Sequence, residues 1–460
     1  MADTVSAEVT RTEAGGLTEL ASRIASQAKK DEQLEVYVSR GVETEVRAYD
    51  GEIESLSSAS SAGVGIRVIS AGRQGFAYAG SLDQAIIDEV LADARDNVAF
   101  ASPDEHVGLA EDDGFPAVDL DLWDEGLTSL AETNKIDLAL ELERLTRNGD
   151  PLVRQVDSAD YGDVAVEAAI ATSNGLSAST RRTICSLSVS AIAGEGADSQ
   201  TGVGFSAGRG PDDLDLERAS RDAIERSTRM LGATKTKSGL FTVVLDQRVT
   251  STLLAIISSA LSGEAVTKGR SFFADRVGEQ VAVPQLTLTD DPTDARAFGA
   301  SAHDAEALAC RRNVLIGAGV LNGFVFDSTS ARRAGTVSTG SAVRGGYAST
   351  PVAGCRALSL EPGDLDASQI LAEVGDGLFV QSITGVHSGV NPVSGDFSVG
   401  IEGLIVRGGS LAEPVREVTI ASTLQKMLLS VTQIGADIEW LPGLSAGLTL
   451  AIDGMSLSGS

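Results

Sequence analysis

The sequence predicts an α+β protein: a mixed α+β domain over residues 1–235, then a β-rich, barrel- or sandwich-like domain over 240–460. Three observations carry that prediction. The chain has 460 residues, more than one ordinary core accommodates, so two domains are expected. It has 50 glycines against 12 Phe, 5 Tyr and 2 Trp, which suits many turns between short strands. Helical and alternating patterns are interleaved in the first half, whereas the second half alternates almost throughout.

Residues 16–30 place Leu17, Leu20, Ile24 and Ala28 on one helical face. LEVYVSR and ETEVRAYDGEIESLSSASS then alternate as strands around Asp50-Gly51, a hairpin signal. GVGIRVISAGRQGFAYAG reads as a strand pair around Gly72, and residues 82–99 return to helix. Residues 101–120 are acidic and loop-like. One long helix is expected over 124–147, closed by Asn148-Gly149-Asp150-Pro151. Strands with Gly and Ser turns fill 152–207, and a helix over 212–231 takes Asp212 or Asp213 as its N-cap. LGATKTKSG (231–239), polar and aperiodic, reads as the linker.

The second half opens with the strand FTVVLD, whose Asp246 caps a helix running to Gly263. That helix is apolar nearly all round and is expected to be buried. Short strands follow in VAVPQLTLTDD, RRNVLIGAG, LNGFVFD, GLFVQSI, FSVGIEGLIVRGG and LTLAIDGMSLSG, with helical pattern returning only over 417–432.

Several functions are excluded or left without support. A net charge of −29 argues against a nucleic-acid partner, which needs a basic footprint. Cys185, Cys310 and Cys355 are widely spaced and form no C-x-x-C site. The opening MADTVSAEVTRTEAGG has neither a basic nor an apolar leader segment, and no run nears the roughly 18 apolar residues of a membrane span. No membrane association and a reduced, cytoplasmic location are therefore expected. His106, His303 and His387 are too far apart for a helical zinc pair, which needs two histidines about one turn apart with a Glu beside them. DLDLWDEG (119–126) departs from a calcium loop at Trp123 and at Leu130, where oxygen ligands are required. No phosphate-binding or dinucleotide glycine motif and no G-x-S-x-G elbow occurs.

Ordered blocks of the second half carry a resemblance: RSFFADRVGEQVAVPQLTLTDDP (270–292), RRNVLIGAGVLNGFVFDSTSARRAGTVSTGSA (311–342), GVHSGVNPVSGDFSVGIEGLIVRGGSLAEPVREVTIASTL (385–424) and IDGMSLSG (452–459). EVYVSRGVETEVRAYDGEIESLSSASSAGVGIRVI (35–69) adds a weaker match in the first half. Together they resemble the TldD/TldE (PmbA) family of two-subunit metallopeptidases, and HSGVNPVSGDFSVG is closer to the TldE/PmbA branch. In the zinc-bearing TldD branch a helix carries H-E-x-x-x-H. Aligned by its Leu-x-Gly-acid ending, the matching helix here offers Leu254 and Ser259 at the ligand positions and Ala255 at the general-base position. The family's C-terminal cysteine ligand is also missing from WLPGLSAGLTLAIDG (440–454).

The resemblance thus implies a subunit with no metal or cofactor and no catalytic residue of its own, paired as a heterodimer with a TldD-like subunit holding Zn and acting on peptide substrate. His387, Asn391, Ser394 and Asp396 are the candidate substrate or partner contacts. Their plainer reading is a tight turn shaped by Gly389, Pro392 and Gly395. Two alternatives stay open: a homodimeric, non-proteolytic binding or regulatory protein on the same fold, and an enzyme of another class using His387.

Overall fold

The first hairpin is fixed by its turn. In the computed structural model, which describes residues 14–459, strands β1 (Gln33–Tyr49) and β2 (Glu52–Ser70) are joined by Asp50 and Gly51 alone. Both turn residues lie at positive φ, 54° and 80°, the twist that matches paired strands. β3 (Arg73–Ala79) returns along β2 after Ala71-Gly72. β4 (Val153–Thr172), β5 (Ser177–Ala193) and β6 (Gln200–Gly208) extend the sheet beyond β1, in the order β3-β2-β1-β4-β5-β6.

Helices cover one face of this sheet. At one end α1 (Ala14–Ala25) and α2 (Gln84–Val98) bury Leu17, Ile24, Ile87 and Leu91 against Val36, Val38 and Ile66. The helix expected over 124–147 is in fact two, α3 (Glu125–Thr128) and α4 (Glu132–Gly149). Asp124 caps the first, and extended backbone at Ala131 (φ −64°, ψ 144°) separates it from the second. α4 and α5 (Leu216–Thr228) cover the other end of the sheet, on Val46, Tyr161, Leu187 and Val189. Val36, Val38 and Val46 are alternate residues of β1, so all four packed helices share one face. The cap of α5 is Asp215, not Asp212 or Asp213. Asp213 is instead engaged with the Arg209 and Gly210 amides at 2.8 and 3.1 Å.

The second half builds a barrel. β7 (Gly239–Leu245) lies antiparallel to β20 (Leu450–Ser458) and parallel to β14 (Gly377–Thr384). β15 (Asp396–Arg407) and β16 (Ser410–Thr423) follow, and β16 closes onto β20 through Thr419, Ile420 and Ala421. The α+β class with a barrel-like second half is therefore borne out, as a closed five-stranded mixed barrel. β17 (Val431–Ile434) adds outside β20. Smaller sheets surround the barrel: β10-β9-β8-β13 (Val320–Leu321, Asn313–Gly317, Leu288–Asp290, Leu358–Leu360), β11 with β12 (Ala342–Val343, Val352–Ala353), and β18 with β19 (Glu439–Trp440, Ala446–Gly447).

Three second-half expectations are corrected. Residues 417–432 are not one helix, because strand pairing holds the chain to Thr423 and only Leu424–Leu429 is helical. LNGFVFD is strand only at Leu321, since Asp327 caps a new helix, Ser328–Ala334, immediately after it. The helix after Asp246 ends at Ala260, and its burial is one-sided: Ser259 is exposed and Ala255 half-buried. The residues read for a leader, MADTVSAEVTRTE, lie outside the described residues. No helix among the described residues is long and apolar enough to cross a membrane. Cys185, Cys310 and Cys355 are buried free thiols.

The uncovered face of the sheet is docked onto the second half by buried charge. Glu35 and Arg67 are direct partners across β1 and β2, and Arg67 Nη2 donates to Glu35 Oε2 at 2.5 Å. Arg344, 309 residues away in sequence, donates to Glu35 Oε1, also at 2.5 Å. All three side chains are at most 4% exposed. Burial alone raises the Glu35 pKa, but Arg67 and Arg344 outweigh it and hold the carboxyl below its ordinary range. Glu306 lies 3.6 Å from the same Arg67 nitrogen, and there burial wins and pushes its carboxyl up. Gly63 and Gly65 lack the Cβ that would stand 2.6 Å from the Tyr347 ring and 2.1 Å from its carbonyl, so Tyr347 lies flat on the sheet. Arg332 grips the carbonyls of His106 (2.7 Å), Gly108 (2.6 Å) and Leu109 (3.2 Å), pinning the start of the acidic loop.

Two outcomes are expected. Limited digestion should nick 111–119, where every residue is exposed, and the exposed stretch 237–239, while sparing 104–110. First cleavage inside 104–110 would contradict the Arg332 clamp. The second outcome concerns Glu306. Its native pKa stands above the ordinary 4.5, so the folded chain keeps a proton that the unfolded chain has already lost. Stability from this group is therefore full below 4.5 and falls as pH rises towards the native value. Glu306→Gln should flatten that fall in chemical-denaturation profiles, and an unaltered profile would show that Glu306 is ionised throughout.

Candidate functional site

The helix that follows β7 is the natural place to look for chemistry, because the resemblance places the family's ligands there. Asp246 starts it by accepting the Val249 amide (2.9 Å), while its other oxygen holds Arg226 at 2.7 Å. Leu254 is 2% exposed and belongs to the barrel's core cluster. Ala255 has no donor atom. Ser259 faces solvent and donates its hydroxyl to the Ile256 carbonyl of its own helix (2.8 Å). Zinc requires imidazole, thiolate or carboxylate donors and a base for its water. These three side chains do not fit that ion.

Just beyond the helix, Gly263 opens the next turn, Gly263–Thr267. A Cβ there would sit 2.1 Å from the Phe326 ring, so only glycine lets the chain pass. This turn borders a cavity of about 290 Å³ at the seam between the halves. Glu264, Lys268, Asp327, Ser330, Arg333, Arg67 and Asp104 line it, with Ser102 and Thr329. Its charged side chains are already engaged: Lys268 with Glu264, Arg333 with Asp104 at 2.7 Å, Arg67 with Glu35, and Asp327 with the Ser330 amide at 3.0 Å. Ser330 donates to Asp327, yet among the described residues none of the three imidazoles lines the cavity. A balanced, hydroxyl-rich wall suits a polar or zwitterionic segment and supplies no nucleophile with a base.

The candidate contacts of the 385–396 block fall into two groups. Asn391, Ser394 and Asp396 come together in one turn. The Asn391 carboxamide oxygen accepts the Val393 and Ser394 amides (2.9 and 3.3 Å), and the Ser394 hydroxyl donates to Asp396 at 2.6 Å. Gly395, at φ 83°, passes close to Gln425, and Gly389 packs where a Cβ would lie 1.8 Å from the Ser398 carbonyl. His387 sits apart, exposed on the single helical turn Val386–Gly389. Among the described residues no hydrogen bond or ion pair links His387 to Asp396. His106 lies in the loop held by Arg332, while His303 is half-buried beside Asp304, with burial lowering its pKa. No group of three His, Cys, Asp or Glu among the described residues is arranged to hold a metal.

Sequence reasoning missed the seam residues Glu35, Arg67, Glu306 and Arg344. One signal was present: Arg67 is a lone charge within the apolar run GVGIRVIS, a position that demands a buried partner.

Comparison with known proteins agrees with this architecture. The description PmbA/TldA metallopeptidase fits the chain as three consecutive domains: domain 1 over residues 34–98, the central domain over 125–231 and the C-terminal domain over 238–459. Metalloprotease PmbA of Escherichia coli O157:H7 is 29% identical over 92% of this chain and 91% of its own. A metalloprotease TldD homolog of Haemophilus influenzae is 27% identical over 85% and 82%. The crystal structure of TldE from Thermococcus kodakarensis shares the fold, with a TM-score of 0.87 at 22% identity over 97% of this chain and 100% of that one. Matched in order from residue 34 to residue 459, the chain belongs to the PmbA/TldD metallopeptidase family.

Proposed function

We propose that this chain is the TldE/PmbA-like, zinc-free subunit of a TldD/TldE-type protease complex that cleaves small or unfolded peptides in the cytoplasm. The observation carrying this reading is the fate of the family's ligand helix. Its side chains at 254, 255 and 259 are a core leucine, an alanine and a serine bonded to its own backbone. The partner in this reading is a TldD-like subunit that contributes Zn and the base. Similarity to both a PmbA protein and a TldD homolog supports two subunits of one fold meeting about a pseudo-twofold axis. Peptide handling draws further support from β2. β3 pairs only with Val64–Ser70, so Glu52–Gly63 has an open edge among the described residues, and extended chains add to such edges.

The decisive test is elemental analysis and peptide release, first on the pure chain and then with a cognate TldD-type subunit. Alone, the chain should hold no stoichiometric zinc and release no peptide. Together, the two should co-elute with one zinc per pair and cleave in a chelator-sensitive manner. His387→Ala should weaken substrate handling at most. Tightly bound zinc or robust cleavage by the lone chain sinks the reading, and a stable homodimer that ignores the TldD-type subunit favours the non-proteolytic alternative. A second measurement addresses the helix itself. Leu254→Asp places an unpaired charge in a dry core and should lose at least about 3 kcal/mol in denaturant unfolding. Unchanged stability would mean that position 254 opens into a polar cleft.

A further inference from the structure

We propose that Arg182, Arg209 and Arg356 form an oxyanion-binding site, taking a carboxylate or phosphate group, on the sheet face turned toward the second half. The three come from distant parts of the chain. On β5, Cys185 and Leu187 face the helices, so Arg182 points to the opposite face by alternation. Cys185 pairs with Gly208, the end of β6, and the Thr183 hydroxyl donates to the Arg209 carbonyl (2.8 Å), which sets Arg209 beside Arg182. Arg209 Nη2 then reaches the carbonyl of Ala297 at 2.7 Å. Two residues on, a Cβ at Gly299 would stand 1.9 Å from the Arg356 carbonyl, so the same loop abuts Arg356.

What singles out this cluster is the lack of ion pairs among the described residues. Among the described residues the Arg182 side chain makes no hydrogen bond and no ion pair, its backbone alone being held in the β4–β5 ladder. Burial first, then the charges of Arg356 and Arg209, push its pKa down to about 10. Arg209 Nη1 and Arg356 Nε are buried without a partner, and the bonds those two guanidiniums do make go to the neutral carbonyls of Ala295, Ala297 and Ala342. Carboxylates flank the cluster without pairing to it: the charges of Asp290 and Asp304 are felt at Arg356 and that of Asp213 at Arg209, and Asp290 Oδ2 is itself buried without a partner. Asp213 accepts the Arg209 and Gly210 amides, Asp290 those of Arg356 and Ala357, and Asp304 those of Glu306, Leu308 and Ala342. In a chain with 65 acidic and 36 basic side chains, three neighbouring guanidiniums of which none makes an ion pair among the described residues form a local exception to the overall field. Guanidinium forks match planar carboxylate and phosphate oxygens, and desolvated charge of one sign calls for a ligand of the other.

The test follows melting of the whole chain while inorganic phosphate replaces chloride at constant ionic strength, for wild type, Arg182→Gln and Arg209→Gln. General stabilisation by phosphate is common to all three proteins and cancels in the comparison. Wild type should show a saturable rise, and both variants should need at least about tenfold more phosphate, as expected for losing one charge-assisted hydrogen bond. Because Arg182 has no protein partner, Arg182→Gln should melt no lower than wild type in chloride. Identical phosphate responses in all three proteins, or a collapse of Arg182→Gln in chloride, overturn the site. A short peptide with a free C-terminus that competes with phosphate, when its amide does not, assigns the anion to a peptide carboxylate. Phosphate saturation that neither peptide disturbs assigns it to free anion, and either result upholds the site. Only the peptide arm rests on the subunit reading above, and co-elution with the TldD-type subunit is scored separately, so either conclusion can fail alone.

Discussion

One buried carboxylate holds the two halves of this protein in register. Glu35 sits between Arg67, its direct neighbour across the first hairpin, and Arg344, which arrives from the second half. Removing Glu35 would strand two guanidiniums in a medium where an unpaired ion is strongly destabilising. Such a triad adds little net stability compared with well-packed apolar groups, because desolvation opposes the attraction. Its contribution is selectivity: apolar contacts tolerate sliding, whereas two guanidiniums on two oxygens do not. Gly63 and Gly65 extend the same constraint by letting Tyr347 lie against the sheet, and the cavity beside Arg67 exists because the halves meet there.

With the seam fixed, the helix after Asp246 is free to serve as a core element. Its start is anchored to the first half through Asp246 and Arg226, and its buried side, with Leu253, Leu254 and Ile257, completes the barrel's interior. A scaffold that positions a helix this firmly can carry ligands in one relative and packing side chains in another without changing its strands. In the reading proposed above, fold membership and catalytic capacity separate at three side chains.

What the sequence revealed depended on how far each signal reached. Asp50-Gly51, Gly72 and the Asp246 cap act within a few residues, and each was read correctly. The strand Ser410–Thr423 was taken in part for helix because its partners, β15 and β20, supply the decisive hydrogen bonds from elsewhere. The helix break before Glu132 lies at extended backbone on Ala131, a residue type whose propensity favours helix and so carries no local signal of a break. At the candidate site, the residue types at 254, 255 and 259, none of them a zinc donor, were legible in the sequence, and the turn bonds of Asn391, Ser394 and Asp396 were legible as turn chemistry. The seam was not, because the partners of Arg67 and Glu35 lie 32 and 309 residues away and no local pattern names them.

The distribution of charge gives the architecture a further consequence. Many arginines are drawn inward: Arg67 and Arg344 to Glu35, Arg332 to loop carbonyls, Arg226 to Asp246, Arg248 to Asp222 and Arg218 to Glu439. The surplus of carboxylates is left largely to the surface, so the long-range field repels anions and attracts cations. In the readings proposed above, an extended chain approaching the open edge of β2 would be guided by its basic and neutral residues, while its acidic groups would be held off until they came within reach of the guanidiniums of Arg182, Arg209 and Arg356. Screening by salt weakens the first effect far more than the second, because exposed charges lie in water and the arginine cluster is partly enclosed. Under those proposals, selection at the surface and binding at the seam would be separate physical steps, governed by charges of opposite sign.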